Sequence, residues 1–492
     1  MLTCEAPEQL SLLNIFSDLS ELSYQKPYDF LVLLKNHFNL SEFIPQSFYK
    51  KYNNWLGRDR RTSLDSTLAA LLIMHFLNIP TTVLLCTFLS FSSELREFCL
   101  LNKVPHESHF SRFKIQFADE INLLFLSFSS YATTICAQIS QSLPEDDKYK
   151  DAHKKLIFDT SGVKPRVKEN NPKFVQGEIK RYKTLAKATG NSELNPYAAA
   201  YSNMPKASAV NPNIKLDFLN GHYGYFYKFG TITNGFGIPL HIMFFDNPEI
   251  QPLLPDITPL SSPEDAKNQS DNASLKPILE SFCQSHDISE FNQFLGDSEF
   301  DSYANFSYLK QLGFEKVLIP LNPRNSNPKE SELLEIPYDK EGWPLCPKTK
   351  VPMVFEGPCN GKNRSLRFKF RCPEVSFSKG KRVCSCEDPC TDAPSGRSHY
   401  VYPDKDFRMY PGIVRGSDEW NSEYAVRAGI ERTFSSLKAN ECVANPRTLN
   451  LASIRSDICL AACTQVITLI LAYCIKKPEF LKSISKIIRF SA

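Results

Sequence analysis

Two short apolar runs, far apart in the sequence, each end in an aspartate: LIFD ends at Asp159 and NQFLGD ends at Asp297. Between them, residues 223–233 and 237–245 are rich in aromatic and β-branched residues and are separated by an Asn-Gly dipeptide. That dipeptide is a strong signal for a hairpin of two antiparallel strands. Segments with a helical pattern alternate with these strands. The sequence therefore predicts an α/β core whose chemistry lies at the ends of strands.

The N-terminal part of the chain has a helical pattern. Ser63 lies in the capping position ahead of TLAALLIMHFLNI, Pro80 ends that helix, and a long helix is expected from Ser108 to about residue 140. We interpret residues 1–145 as a helical domain that binds DNA ends, although a helical bundle with solvated charges explains the pattern equally well. The basic residues of this region include Arg58, Arg60, Arg61, Arg112 and Lys114.

Composition and apolar segments bear on where the protein works. The net charge of +3 says little about partners. Residues 458–475 form the longest apolar stretch, but Thr464, Gln465 and Thr468 interrupt it, so we favour a buried core helix over a membrane anchor. Residues 1–10 lack the pattern of a secretory signal. We expect a cytoplasmic protein with reduced cysteines and no membrane partner.

Asp159 and Asp297 both lie where a strand would deliver a carboxylate to one edge of a sheet. Cleavage and transfer of a phosphodiester use two divalent ions about 3.5–4 Å apart, and magnesium prefers carboxylate oxygens. Two or three acids must therefore converge. A single aspartate at a strand end is more often a turn or cap residue, so these two alone are a weak signal.

A third acid lies in a more specific pattern. On a continuous helix over residues 423–438, Tyr424, Arg427, Glu431 and Lys438 fall within a stripe about 60° wide. Glu431 would complete the metal site, while Arg427 and Lys438 would bind phosphate oxygens. The alternative is an exposed amphipathic helix with spaced charges. The stripe expected to pack on the core consists of Val426, Ile430, Phe434 and Leu437.

The Tyr-x2-Arg-x3-Glu-x6-Lys spacing resembles the signature around the last catalytic acid in one group of DDE-type bacterial insertion-sequence transposases. Further similarity lies in LIFDTSGV around Asp159, in DSEFDS beginning at Asp297, and in LNPR ending at Arg324. The N-terminal phrases LREFC and VPHESHFSRF also look like the N-terminal domain of these enzymes. The resemblance spans about residues 50–475.

This resemblance implies a ribonuclease-H-like fold, a mixed five-stranded sheet flanked by helices. Residues 150–335 and 411–492 would form the two parts of the catalytic domain. Asp159 would lie on the first strand, Asp297 after the fourth and Glu431 on a later helix, and together they would hold two Mg²⁺ or Mn²⁺ ions.

The resemblance also implies an activity and partners. Water-driven nicking at transposon ends would be followed by attack of a free 3′-hydroxyl on target DNA. The partner would be double-stranded DNA, at terminal inverted repeats and at the target, bound by a homodimer. The residues expected to contact DNA are Tyr424, Arg427, Lys438 and Arg324.

The sequence departs from the pattern of this group after the second aspartate. Glu299 stands where glycine is usual, and Phe300 replaces tyrosine. We expect the additional carboxylate to point away from Asp297, although it is also compatible with a decayed element. Asp301 is the nearest rival for the metal-binding role, and Asp297 is preferred because it follows the apolar run.

Two basic segments accompany the acids. Residues 164–215 contain ten Lys or Arg, three Glu and no Asp. Their composition is typical of a loop, and we favour contact with the DNA backbone over a merely solvated loop. Residues 336–410 are interpreted as a basic insertion. Between residues 362 and 382 a single acid, Glu374, stands against eight basic residues: Lys362, Arg364, Arg367, Lys369, Arg371, Lys379, Lys381 and Arg382.

This insertion also holds six of the fifteen cysteines. The compact spacing of Cys384, Cys386 and Cys390 suits tetrahedral zinc, with Cys372 or Cys346 as the fourth ligand. Free thiols are the alternative interpretation.

Four functions fit these features to different degrees. The leading hypothesis is an active transposase. A catalytically silent DNA-binding protein derived from a transposase is the alternative, and a non-transposing nuclease on the same fold is a third. A zinc-dependent regulator would require the Tyr-Arg-Glu-Lys stripe to be accidental.

Overall fold

The computed structural model describes residues 29–54, 60–190, 194–219, 222–248, 271–322, 336–339, 341–361 and 364–491. Contacts within the chain divide it into two compact units. Unit 1 comprises Met1–Ile135, Asn440–Cys442 and Asn450–Ala492, and unit 2 comprises Cys136–Ala439 and Val443–Leu449. The four-part domain division expected from the sequence stays a prediction.

Unit 1 is helical where it is described. Its helices are α1 (Asp29–His37), α2 (Gln46–Asn53), α3 (Leu64–Phe76), α4 (Thr82–Phe91), α5 (Ser93–Phe98), α6 (Glu107–Gln116), the first part of α7 (Ala118–Ser142), α15 (Leu451–Cys474) and α16 (Ile484–Ser491). The Ser63 hydroxyl caps α3 as predicted, accepting a hydrogen bond from the Ser66 amide at 3.0 Å. The α3 helix is apolar on nearly all sides and almost wholly buried, so it forms part of the core.

The apolar C-terminal stretch forms the long helix α15. Both α7 and α15 are long and apolar enough to cross a membrane by length and composition, which is weak evidence, and 78% of the most apolar window of α15 is buried. That burial is typical of a core helix. Inside unit 1, the Lys114 ammonium lies 2.8 Å from both carboxylate oxygens of Asp457. Lys114, one of the basic residues of the N-terminal region, is therefore paired in the interior rather than available to DNA.

The expected single helix from Ser108 is wrong. The structure has two helices, α6 and α7, with Phe117 between them. Phe117 is fully buried, and its ring lies 5.0 Å from the Phe113 ring and 5.5 Å from the Tyr52 ring, centroid to centroid. Packing of this aromatic cluster outweighs the local preference for an unbroken helix.

Unit 2 contains a mixed six-stranded sheet flanked by helices. Its strands are β1 (Lys155–Val163), β2 (Lys215–Leu219), β3 (His222–Asn234), β4 (Pro239–Phe244), β5 (Gln293–Leu295) and β6 (Lys316–Leu318). The order is β2-β3-β1-β5-β6, with β4 paired to β3. The β3 strand runs antiparallel to β1, β2 and β4, whereas β1, β5 and β6 are parallel. The predicted α/β class is confirmed at this level.

The predicted Asn-Gly hairpin joins β3 to β4. The Asn234 side-chain oxygen accepts hydrogen bonds from the amides of Phe236 and Ile238, both at 3.1 Å. Gly237 has a φ of 71°, a conformation that favours glycine. Helices α10 (Leu275–Cys283) and α11 (Tyr303–Gln311) contribute buried residues to the core on which this sheet packs.

The loop expected over residues 164–215 is in part helical. The α8 helix (Pro172–Thr189) begins after Asn171, whose side chain accepts from the Lys173 amide at 3.0 Å, and α9 (Pro196–Ser202) begins after Asn195. Each has an asparagine cap followed by proline, which is a strong helix start. No residue of α8 is buried, so this helix lies on the surface of unit 2.

Residues 336–410 hold a small β-module. Strands β7 (Val354–Gly361), β8 (Arg364–Arg371) and β11 (Ser398–Val401) form one antiparallel sheet in the order β11-β8-β7. Strands β9 (Val375–Ser378) and β10 (Lys381–Cys384) form a separate hairpin. The chain then continues through α12 (Asp418–Tyr424), α13 (Ala428–Lys438) and α14 (Glu441–Ala444).

Candidate active site

The guanidinium of Arg427 contacts three acidic side chains that are far apart in the sequence. Its Nη1 atom lies 2.6 Å from Glu431 Oε1. Its Nη2 atom lies 2.8 Å from Asp297 Oδ2 and 3.8 Å from Asp159 Oδ2. The three predicted acids are therefore gathered around a single positive charge.

The sheet explains why two of these acids meet. Strands β1 and β5 are parallel, with Ile157 paired to Leu295. Asp159 and Asp297 each lie two residues beyond that pair, so both reach the same edge of the sheet. The Asp297 side chain also accepts from the Ser298 amide and caps the 3₁₀ turn Ser298–Phe300.

The third acid comes from a helix whose start differs from the prediction. Helix α12 ends at Tyr424, a 3₁₀ turn covers Ala425–Arg427, and α13 begins at Ala428. The continuous helix expected over residues 423–438 is therefore wrong. Glu431 lies in the first turn of α13, four residues after Arg427, and this spacing allows their ion pair.

The buried side of α13 holds the helix against the sheet. The predicted apolar residues Val426, Ile430, Phe434 and Leu437 are all buried. The Thr433 hydroxyl donates to the Gly237 carbonyl at 2.6 Å. The acid and its arginine partner are thus presented from a helix fixed on its opposite side.

Of the residues expected to contact DNA, Tyr424 lies beside the acids. Its hydroxyl donates to the Gly296 carbonyl at 3.3 Å, and its ring centroid lies 6.0 Å from the Arg427 guanidinium carbon. Burial raises the pKa of the Tyr424 phenol to about 12. The hydroxyl therefore stays protonated and acts as a donor at neutral pH.

Lys438 lies farther along the helix that carries Glu431. Lys438 is seven residues beyond Glu431, which is about 10 Å along a helix. Burial lowers the pKa of the Lys438 ammonium. Arg324 lies outside the residues that the structure describes.

The charge balance of the site favours a cation. Burial raises the pKa of the Asp159 carboxyl to about 7 in spite of Arg427, and repulsion from Asp297 and Glu431 adds to that rise. The negative charge of these carboxylates is incompletely neutralised by Arg427, so a further cation would be attracted to them. Carboxylate oxygens are also the ligands that magnesium and manganese prefer. The donor set therefore fits a hard divalent ion, although no group of three or more potential ligands in the described residues is arranged around one ion.

Glu299 does not lie on a continuing strand. Residues Ser298–Phe300 form a 3₁₀ turn rather than a continuing strand. Burial raises the pKa of the Glu299 carboxyl to about 7, with further contributions from nearby Asp271, Asp297 and Asp159. The additional carboxylate therefore interacts electrostatically with the acids, and the continuing strand expected from the sequence is absent.

A cluster of charged side chains that the sequence did not indicate lies next to the three acids. Asp271 accepts a hydrogen bond from the hydroxyl of Thr160, the residue after Asp159, at 2.7 Å. The Lys228 ammonium pairs with both Asp271 and Asp217. These residues come from separate elements, and no local motif marks them, so only the fold brings them together.

Asp301, the rival of Asp297 for the metal-binding role, has partners of its own. It is fully buried, and both of its oxygens lie 2.7 Å from guanidinium nitrogens of Arg408. The Asn322 amide also donates to it at 2.7 Å. Asp301 is therefore held in a buried bidentate ion pair, and the preference for Asp297 stays a prediction.

The basic residues of the β-module are partly neutralised. Glu356, which precedes the basic stretch over residues 362–382, pairs with Lys369 at 2.8 Å, with Arg371 at 3.4 Å and with Arg382 at 2.5 Å. Lys362 lies outside the described residues. The module therefore offers fewer free cations to a nucleic acid than its sequence indicates.

Comparison with known proteins bears on a different part of the chain. No curated protein matches the sequence. Residues 20–116, about a fifth of the chain, match the model of a family described as Transposase domain (DUF772). That segment contains LREFC and VPHESHFSRF but none of the three acids around Arg427. The match supports a transposase family for this chain without identifying the residues that do its chemistry.

Proposed function

We propose that this protein is a DDE-type DNA transposase that cleaves transposon ends and joins them to target DNA. The observation that carries the proposal is the contact of Asp159, Asp297 and Glu431 with one guanidinium. The transposase-domain match supports the class of protein. The signature spacing, in which Arg427 and Glu431 stand, supports the specific group.

The sheet supports a ribonuclease-H-like arrangement. Without β2, the order of the strands is β4-β3-β1-β5-β6. In this order β3 runs antiparallel to its neighbours β4 and β1, whereas β1, β5 and β6 run parallel to one another. Counted in that way, Asp159 lies on the first strand and Asp297 follows the fourth. This is the placement that the resemblance implies.

The chain's own residues would act as follows. Asp159, Asp297 and Glu431 would hold two Mg²⁺ or Mn²⁺ ions, which when bound activate the attacking oxygen and stabilise the leaving oxygen. Arg427, released from the carboxylates, would bind a phosphate through its bidentate fork. Tyr424 would keep that guanidinium beside Asp297. Lys438 and the exposed basic side of α8 would bind the DNA backbone away from the cut.

The resemblance extends the proposal to partners. Double-stranded DNA with terminal inverted repeats is the substrate, and a homodimer acts on paired ends. We propose a cytoplasmic location and no membrane partner.

The decisive experiment uses the DNA that flanks the gene. Terminal inverted repeats bracketing it would define the substrate, and purified protein would be incubated with labelled ends, target DNA and Mg²⁺. We expect cleavage followed by strand transfer, both abolished by a chelator. Asp159→Asn, Asp297→Asn and Glu431→Gln should each reduce cleavage at least about 10³-fold while leaving end binding largely intact.

The matched control is Glu290→Gln, which changes an exposed acid away from the site and should leave the activity unchanged. Hydrolysis without joining would favour the nuclease, and binding without cleavage would favour the catalytically silent protein. Wild-type cleavage that survives all three acid substitutions would contradict the proposal.

A further inference from the structure

The β-module brings together four cysteines that are spread over 41 residues of sequence. Cys346 and Cys372 are buried, whereas Cys384 and Cys386 are half-buried. The Cys346 thiol interacts with that of Cys372. The Cys386 thiol interacts with those of both Cys372 and Cys384. These contacts connect the four thiols, and the Cys390 thiol also acts electrostatically on that of Cys372.

Two of these cysteines lie in turns that direct backbone amides at the sulfur. Each is followed by proline. The amides of Lys348 and Thr349 donate to the Cys346 sulfur, and the Glu374 amide donates to the Cys372 sulfur. These contacts hold both sulfurs in place at their turns.

Backbone hydrogen bonds fix the loops that carry the cysteines. The Cys372 amide donates to the Arg397 carbonyl and the Cys384 amide to the Pro394 carbonyl, both at 2.9 Å. Gly396 lies between them: a Cβ atom built there would be 3.9 Å from the Cys372 Cβ and 3.8 Å from the Cys384 Cβ. The two cysteines therefore flank the same short loop.

The hairpin attached to these loops has little core of its own. In β9 only Val375 is buried, and β10 has no buried residue. An isolated two-stranded hairpin is marginally stable in water. A bound metal ion that joins its two ends to the preceding turn would supply the missing stabilisation.

We propose that Cys346, Cys372, Cys384 and Cys386 bind one structural zinc ion as four thiolates. This set keeps three of the ligands expected from the sequence and replaces Cys390 with Cys346. The described side chains do not form a ready site of three or more ligands. Binding therefore requires the four side chains to turn toward a common centre and to release their protons.

Metal analysis of the full chain tests this proposal. Protein purified under reducing conditions should contain about one zinc per chain. Cobalt substitution should give the visible absorption and thiolate-to-metal charge-transfer bands of a tetrathiolate site. Single serine variants of the four cysteines should lose most of the zinc, whereas Cys359→Ser, in the same module, and Cys390→Ser should retain it.

Alkylation of the wild-type protein avoids any dependence on variants that fail to fold. Peptide mapping should show the four ligands protected with zinc bound and labelled after its removal, with Cys359 and Cys390 labelled equally in both states. Absence of zinc from the reduced protein would overturn the proposal. So would retention of zinc in Cys346→Ser together with its loss in Cys390→Ser. Neither readout depends on DNA cleavage, so the result is independent of the proposed transposase activity.

Discussion

Arg427 is the residue on which the geometry of the acid site depends. Three carboxylates contact its guanidinium, and the pKa of one of them, Asp159, is raised to about 7 even in its presence. Without this positive charge, the repulsion among the acids would be uncompensated. Arg427 therefore occupies the position in which a bound cation would be expected.

Replacement of this arginine gives a test of that interpretation. We expect Arg427→Gln to lower the free energy of unfolding by about 1–3 kcal/mol, because three acids lose their shared partner. Added Mg²⁺ should restore stability to the variant more than it stabilises the wild type. Urea denaturation with and without Mg²⁺ measures both effects.

Arg432→Gln is the matched control, since Arg432 is exposed on the same helix. It should change neither stability nor the response to Mg²⁺. An equal response of the Arg427→Gln variant and the wild type to Mg²⁺ would show that the acids do not gather around a metal ion.

A second prediction concerns a buried histidine in unit 2. Burial lowers the pKa of His241 to about 3, and neither ring nitrogen has a hydrogen-bond partner among the described residues. Below the usual pKa of 6.5, the unfolded chain takes up a proton that folded His241 does not. Stability is therefore lost as the pH falls from about 6.5, by up to about 1.4 kcal/mol per pH unit from this residue.

His241→Phe should reduce this loss, because phenylalanine takes up no proton in either state and the buried ring already lies 6.1 Å from that of Phe282. The free energy of unfolding, measured between pH 7 and pH 4.5, should fall less steeply with acidity than in the wild type. Parallel pH profiles would mean that His241 takes up its proton equally well in the folded protein.

At the scale of secondary-structure elements, local signals predicted what local forces determine. The Ser63 cap, the hairpin between β3 and β4, and the two apolar runs that end in aspartate were all recognisable from residues next to one another. The break between α6 and α7 could not be predicted in this way. It depends on the burial of Phe117 against residues distant in sequence.

Contacts between side chains that are far apart in the sequence were the hardest features to predict. The placement of Glu299 depends on a 3₁₀ turn that the apolar run does not indicate. The pairing of Glu356 with three basic residues, and of Asp271 with Lys228, joins strands or loops that no spacing rule connects. Local pattern thus indicated the candidate acids, while tertiary contacts determine their electrostatics.

The exposed basic helix α8 leads to a prediction about DNA binding. Lys173, Lys180 and Lys187 are all exposed on it. If they bind phosphates, replacing all three by Gln should weaken binding similarly for every DNA sequence. It should also reduce the slope of log affinity against log salt by about 2–3. Fluorescence anisotropy at several salt concentrations measures this slope.

The triple control Lys476→Gln, Lys482→Gln and Lys486→Gln makes the same change of charge near the C-terminus. Identical salt slopes for the α8 variant and the wild type would show that the lysines of α8 face solvent and do not bind DNA phosphates.

At the scale of the whole molecule, the features that support a transposase are distributed over the chain. The segment similar to a transposase domain lies in unit 1, and the three acids lie in unit 2. The sheet class was predictable because alternation of strand and helix is a property of the whole sequence. The division into two units could not be predicted from the sequence, because residues 450–492 are grouped with the N-terminal part of the chain.

The central claim is that Asp159, Asp297 and Glu431 together hold catalytic divalent ions. The most direct measurement is anomalous diffraction from crystals of the protein with a DNA end and Mn²⁺. We predict two manganese peaks about 3.5–4 Å apart, each within about 2.3 Å of oxygens from these three side chains. No peak at the site, with the three carboxylates still bound to Arg427 in the presence of DNA, would contradict the account.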